Sequence, residues 1–196
     1  MQGKYLGIDE SNHGQLPEIF VGVLSDYLWD IAWKDKQFGK RRNRNQIEAL
    51  LEGRDFRFVS ISEEFGIKLA DKDDRKIVAF TELLEYFDCV TNVYIDGDIS
   101  DYVIAEVKKQ LWPRMINTYY GPYGDRSWSL VNIADTVAYQ LYKYIITQVG
   151  APHDKYMAFE ITPNERRYTH LFRKALPRLE GIVVPHSISY NTIATA

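Results

Sequence analysis

Three aspartates, Asp9, Asp96 and Asp135, stand where a folded chain could bring them together. Asp9 closes the apolar run Tyr5-Leu6-Gly7-Ile8 and is followed by Glu10, Ser11, Asn12, His13 and Gly14. The stretch from Glu18 to Ser25 is apolar again, so residues 3–10 and 18–26 read as two strands joined by a polar turn. Asp96 ends a second strand-like run that begins at Thr91, just ahead of Gly97. Asp135 interrupts an apolar helical segment from Val131 to Ala138, where a buried charge needs a partner. Carboxylates brought to one point repel unless they are protonated or neutralised. A hard divalent cation, Mg2+ or Mn2+, neutralises them through oxygen ligands. Two such ions about 4 Å apart activate water and stabilise the leaving oxygen in phosphodiester cleavage.

Neighbouring acids compete for these roles. Glu10 follows Asp9 directly, and on a regular strand it points to the opposite face. It joins the site only if the chain has already turned, which Ser11 and Asn12 permit. Asp98 and Asp101 are alternatives to Asp96. Acids at strand ends also serve as plain solvated turn residues, so each aspartate has a bland reading beside the catalytic one.

The elements that must position these side chains follow from periodicity. A third strand is expected over Phe56–Ser62, with Phe56 and Phe58 on one face and Val59 and Ile61 on the other. A helix is expected from about Asp73 to Phe87, capped by Asp73 or Asp74 and burying Ile77, Phe80, Leu84 and Phe87. Another starts after Ser100 and stops at Pro113. Met115 to Tyr120 reads as a fifth strand, and Val131 to Val149 as a long helix with Ala134, Val137, Ala138, Leu141 and Ile145 buried. Tyr156–Ile161 reads as a strand. Thr162-Pro163-Asn164-Glu165 opens a helix through a capping box, and Gly181–Ser189 reads as a closing strand. Sequential early strands followed by alternating strands and helices predict an α/β fold, a mixed β-sheet flanked by helices on both faces. Chemistry in such sheets gathers beyond strand ends.

Bulk properties set bounds. The chain has 196 residues, 45% of them apolar and 26% charged, with a formal charge of −3. This predicts one domain, residues 1–196, with a basic insertion at about 27–54 and a β-α-β extension at about 151–196. From Lys34 to Arg57 there are eight basic and four acidic residues, so positive charge is concentrated in that stretch. Lys40, Arg41, Arg42 and Arg44 are candidates to contact nucleic-acid phosphates, against the reading of a solvated loop. Trp29 and Trp33 could stack on bases or fill a core. His13 could contact phosphate or serve proton transfer, or be a turn residue. Cys89 is alone, so no internal disulfide forms, and its apolar surroundings suggest a small core residue. No window approaches the ~20 apolar residues of a membrane span, and a cytoplasmic protein is expected. There is no Walker loop, no G-x-G-x-x-G and no G-x-S-x-G elbow.

The order of these motifs resembles the ribonuclease H-like superfamily. Aspartate-glutamate after the first strand, aspartate-glycine after the fourth and aspartate in a later helix are similar to type 2 ribonuclease H. That family opens with D-E-A-G-R-G; Asp9, Glu10 and Gly14 match it, while Ser11, Asn12 and His13 depart. In type 2 enzymes the glycine-arginine-glycine segment reads the ribose 2′-hydroxyl, and its counterpart here differs. The chain resembles more closely an RNase H-like family with D-E-S near the N-terminus and A-D-x-x-A in a late helix. Asp9-Glu10-Ser11 and Ala134-Asp135-Thr136-Val137-Ala138 fit both motifs, over roughly residues 3–150. The resemblance implies an RNase H-like sheet and a nuclease-like site holding Mg2+ or Mn2+ through Asp9, Asp96 and Asp135, with Glu10 beside them. Its substrate would be RNA or DNA. A noncatalytic RNase H-like module that binds nucleic acid or assembles with partners is the competing reading. A metal-dependent phosphoryl-transfer enzyme on a small substrate is a third.

Overall fold

The computed structural model describes residues 4–11, 14–28, 54–147 and 156–173. His13, Trp29, Trp33, the arm with Lys40, Arg41, Arg42 and Arg44, His153, His186 and the strand expected at 181–189 lie outside these residues.

Strand β1 (Lys4–Ser11) pairs antiparallel with β2 (Glu18–Ser25), and β2 pairs antiparallel with β3 (Asp55–Ile61). On its other side β1 pairs in parallel with β4 (Val90–Asp96), and β4 in parallel with β5 (Asn117–Gly121). A two-residue strand β6 (Glu160–Ile161) runs parallel to β3 and completes the order β5-β4-β1-β2-β3-β6. The mixed sheet expected from sequence is present, with β1 and β4 side by side near its centre.

Period-two alternation divides the apolar residues between two faces. Leu6 and Ile8 of β1, Val59 and Ile61 of β3, and Val93 and Ile95 of β4 share one core. It is closed by α2 (Lys72–Tyr86), α3 (Asp101–Gln110) and the 3-10 helix Glu165–Leu171, after a short α1 (Glu63–Gly66). Ile19, Val21 and Val23 of β2, with Phe56 and Phe58 of β3, form the other core. There they meet Leu130, Ile133, Ala134, Val137, Ala138 and Leu141 of the long helix α5 (Ser129–Thr147), which follows the one-turn α4 (Gly124–Ser127).

Several boundaries differ from expectation. The cap of α2 is Asp71, whose carboxylate accepts from the Asp73 and Asp74 amides while Asp74 reaches back. A side-chain acceptor earlier in the chain competed successfully with the two expected caps. Ser100 caps α3 as expected, accepting from the Val103 amide. The strand expected over Tyr156–Ile161 shrinks to Glu160–Ile161, because the Phe159 amide bonds back to the Tyr156 carbonyl in a turn. Phe159 stacks on Phe56 with ring centroids 4.5 Å apart, and Tyr156 is buried beside them; the Phe159 carbonyl accepts the Phe58 amide, and strand pairing begins only at Glu160. The following helix is 3-10 and capped by Asn164, not by Thr162. Cys89 is exposed: it falls in the turn between α2 and β4 and is not a core residue.

Candidate functional site

The parallel pairing of β1 with β4 sets Ile8 beside Ile95 and ends there, so the next residues, Asp9 and Asp96, stand where the two strands part, Asp9 still paired with Val21 of β2 and Asp96 with Gly121 of β5. Parity sends both away from Ile8 and Ile95, towards the face that α5 covers. Gly7 allows α5 to come close: it has no side chain, and the backbone of Leu130 occupies the space a Cβ would need. Six residues beyond Ser129 the helix carries Asp135, which is 8% exposed, and Asp9 is 4% exposed. The Asp9 carboxyl is held well above the usual carboxylate range, first by burial, then by the charges of Asp135 and Asp96. Its Oδ1 accepts the Glu10 amide at 2.6 Å, which works in the opposite direction.

Asp96 is anchored across the sheet end. Its Oδ1 accepts from the amides of Gly124 and Asp125. A Cβ on Gly124 would lie 3.0 Å from the Asp96 Cα, so the loop between β5 and α5 is pressed directly onto this aspartate. Gly97 has φ +90° and its amide bonds to the Gly121 carbonyl, which ends β4 and turns the chain away. Asp98 is therefore exposed beyond the turn, and Asp101 accepts from the Tyr120 hydroxyl at the start of α3; neither joins Asp9.

Glu10 points to the opposite face. It lies 4.0 Å from Lys76 Nζ on α2 and close enough to raise the Glu18 carboxyl, which burial raises more. Nearby, Arg75 Nε stands 2.8 Å from Glu18 Oε2 without the direction of a hydrogen bond, so the contact is an ion pair. Glu18 Oε1 accepts the Gly14 amide and Arg75 donates to the Gly14 carbonyl, fixing both polar groups of that glycine. Gly14 itself has φ +85°, the left-handed conformation that favours glycine.

The charges of Asp135, Asp96 and, least, Glu10 all oppose ionisation of Asp9, while Glu10 itself faces Lys76 on the other side of the sheet. Three carboxylates are hard oxygen donors, and the donor chemistry fits Mg2+ or Mn2+. The side chains do not close into a cage as they stand. Among the described residues no group of three or more His, Cys, Asp or Glu is arranged to hold a metal ion. His170, exposed, lies 3.5 Å from Glu106, away from the aspartates.

Sequence reasoning missed an aromatic row on the same face. Tyr5, Tyr94 and Tyr119 occupy adjacent strands, Tyr94 and Tyr119 being stacked at 4.8 Å, and Trp128 leans on Tyr94 at 5.2 Å. Strand parity relative to Asp9 and Asp96 was the signal that could have found it.

No family model and no curated protein matches the chain. Solved structures do, and they define the class: the fold is RNase H-like. The neighbours are type 2 enzymes. The RNase HII of Archaeoglobus fulgidus, solved as a complex with PCNA, superposes with TM-score 0.58 at 14% identity over 79% of this chain and 86% of its own. Ribonuclease H2 from Pyrococcus horikoshii gives TM-score 0.56 and 15% identity over 74% of this chain and 75% of its own. Bst-RNase HIII, solved in complex with Mn2+, gives TM-score 0.55 and 16% identity over 80% of this chain and 61% of its own. At such identities the likeness is one of fold. The narrower resemblance to the D-E-S family rests on its motifs alone.

Proposed function

We propose that the chain is a divalent-metal-dependent phosphodiesterase acting on nucleic acid, with Asp9, Asp96 and Asp135 as the metal-holding carboxylates. The observation that carries this reading is the state of Asp9. A carboxyl 4% exposed in a central strand, where β1 parts from β4, has its charge opposed by burial and by two further aspartates. Structural acids are ordinarily buried beside a base. Mg2+ or Mn2+ held there would neutralise the cluster and supply activation of water and stabilisation of a leaving oxygen. The residues' own part is positional: Gly124 and Asp125 fix Asp96, α5 delivers Asp135, and the sheet excludes water from one side of Asp9. Glu10, on the far face, would reach the substrate side only after the chain turns. The RNase H-like fold, shared with neighbours whose names are those of ribonucleases, supports a nuclease over other phosphoryl chemistry. Within this reading the chain is one cytoplasmic RNase H-like domain. Lys40, Arg41, Arg42, Arg44 and His13 are its phosphate-contacting groups.

One observation favours the noncatalytic alternative: the three carboxylates do not form a ready ligand group among the described residues. An activity screen decides between the two. Single strands, duplexes and RNA–DNA hybrids are incubated with Mg2+ or Mn2+, beside Asp96→Asn. Cleavage that needs metal and is lost in the variant supports the phosphodiesterase. Binding without cleavage, unchanged in the variant, supports the module.

A further inference from the structure

The tyrosine row on the carboxylate face continues to the edge of the sheet. Tyr119 lies on β5, an edge strand, with one ring face against Tyr94 (interplanar angle 13°) and 44% of its surface exposed. Two residues past the end of β5, Tyr123 is 63% exposed, and the Arg126 guanidinium stands 4.9 Å from its ring centroid. Tyr123 is also the only non-glycine with positive φ (65°) among the described residues. For an L-residue that conformation is unfavourable, and it is retained where the surroundings impose it. Here they do: the next residue, Gly124, donates to Asp96 and is pressed onto its Cα, so the loop that anchors the aspartate also presents Tyr123.

We propose that Tyr119, Tyr123 and Arg126 form a stacking platform for an unpaired base of a nucleic acid whose backbone passes the Asp96 side of the carboxylates. This rests on the phosphodiesterase reading and narrows it to a substrate class. Tyr119 has one ring face on Tyr94 and Tyr123 one beneath Arg126; exposed aromatic faces and guanidinium planes take the flat face of a base, and any base offers one. A base inside a continuous duplex shows a groove only its edge. The platform therefore selects single strands, loops or flaps over intact duplex. Tyrosine and arginine also anchor protein interfaces; what favours a base here is that the segment presenting Tyr123 is the one whose Gly124 amide holds Asp96, so a strand whose phosphate lies at the carboxylates passes these rings.

The test uses the full chain in chelator, so that binding is read without cleavage. A fluorescein-labelled single strand and a blunt duplex of the same sequence are titrated by anisotropy against the parent, Tyr119→Ala, Tyr119→Phe, Tyr123→Gly and Tyr123→Phe. The platform predicts that Tyr119→Ala and Tyr123→Gly weaken single-strand binding roughly five- to a hundredfold and leave duplex binding unchanged. The Phe variants, which keep the ring, bind like the parent. Tyr123→Gly is the control for folding: glycine relieves the left-handed strain, so it melts at or above the parent while losing affinity. Parent-like affinity in both ring-deleted variants overturns the proposal and leaves the patch to a protein partner. An equal loss on single strand and duplex also overturns it, as does a parent that binds neither probe. The metal response of Asp135→Asn is read separately by melting, so the platform can fail while the carboxylate site stands.

Discussion

A Cβ placed on Gly7 would stand 2.4 Å from the Leu130 carbonyl carbon and 2.6 Å from the Leu130 Cβ. The clash is with helix backbone, which cannot swing aside as a side-chain tip can. Gly7→Ala must therefore lift the start of α5 from the sheet or bend β1. Overpacking of this kind costs about 1–3 kcal/mol. Urea melts should show that loss. Gly121→Ala, where a new Cβ meets nothing within 4 Å, should stay within about 0.5 kcal/mol of the parent. If the two variants melt alike, close helix approach at Gly7 is not a constraint.

Because the same helix carries Asp135, that residue separates catalysis from folding. Asp135→Asn keeps the size and removes a charge that opposes ionisation of Asp9. In chelator the variant should be as stable as the parent or more so. With millimolar Mn2+ the parent's melting temperature should rise, since a ligand bound only to the native state stabilises it, and most of that rise should vanish in the variant. Loss of stability in chelator by about 1 kcal/mol, with the metal increment intact, would mark Asp135 as a structural partner instead.

Asp9 sets a pH dependence whose sign follows from its raised carboxyl. Below about pH 4 both native and unfolded chains hold this proton, and the group contributes nothing. Above that, the unfolded chain releases it while the native chain retains it. Native protein then binds more protons, so stability in chelator falls as pH rises towards neutrality. Asp9→Asn should be the more stable protein at neutral pH and show a shallower fall. Glu18 and Asp74, also raised by burial, keep part of the slope in place. Urea midpoints across that range measure it, and a parent-like slope in Asp9→Asn would contradict the assignment.

The basic arm is tested by salt. If Lys40, Arg41, Arg42 and Arg44 contact phosphates, changing all four to Gln should weaken nucleic-acid binding. The log–log slope of affinity against salt should flatten by about 0.7–0.9 for each phosphate that is no longer neutralised. Equal slopes would show the run to be a solvated loop.

Much of this arrangement was legible in residue order. Glycine directly after Asp96 is a turn signal, and the structure turns there, which is why Asp98 falls away from the sheet end. The alternation rule anticipated that Glu10 would face away from Asp9, and Lys76 sits on that far face. What was not legible depended on contacts between distant segments. Nothing local to Gly7 announces Leu130, and nothing in Gly-Pro-Tyr-Gly announces that Gly124 will donate to Asp96. The cap of α2 was misplaced because Asp71, Asp73 and Asp74 are chemically equivalent acceptors; only backbone geometry chooses among them. The strand expected at 156–161 failed because apolar aromatics signal burial equally well in a turn.

The position of β1 has a kinetic consequence. One of its neighbours, β2, arrives through a short turn, but the other, β4, begins only at Val90. A hairpin of β1 and β2 can form early, yet β1 keeps an open hydrogen-bonding edge until a far later segment closes it. During that interval the nascent sheet can pair with another copy of itself. Refolding yield should therefore fall with protein concentration, and fall most in variants that slow the docking of β4. The aspartates at the ends of β1 and β4 meet in the same closing step, so the chain accepts their mutual repulsion only once its hydrophobic layers are available to oppose it.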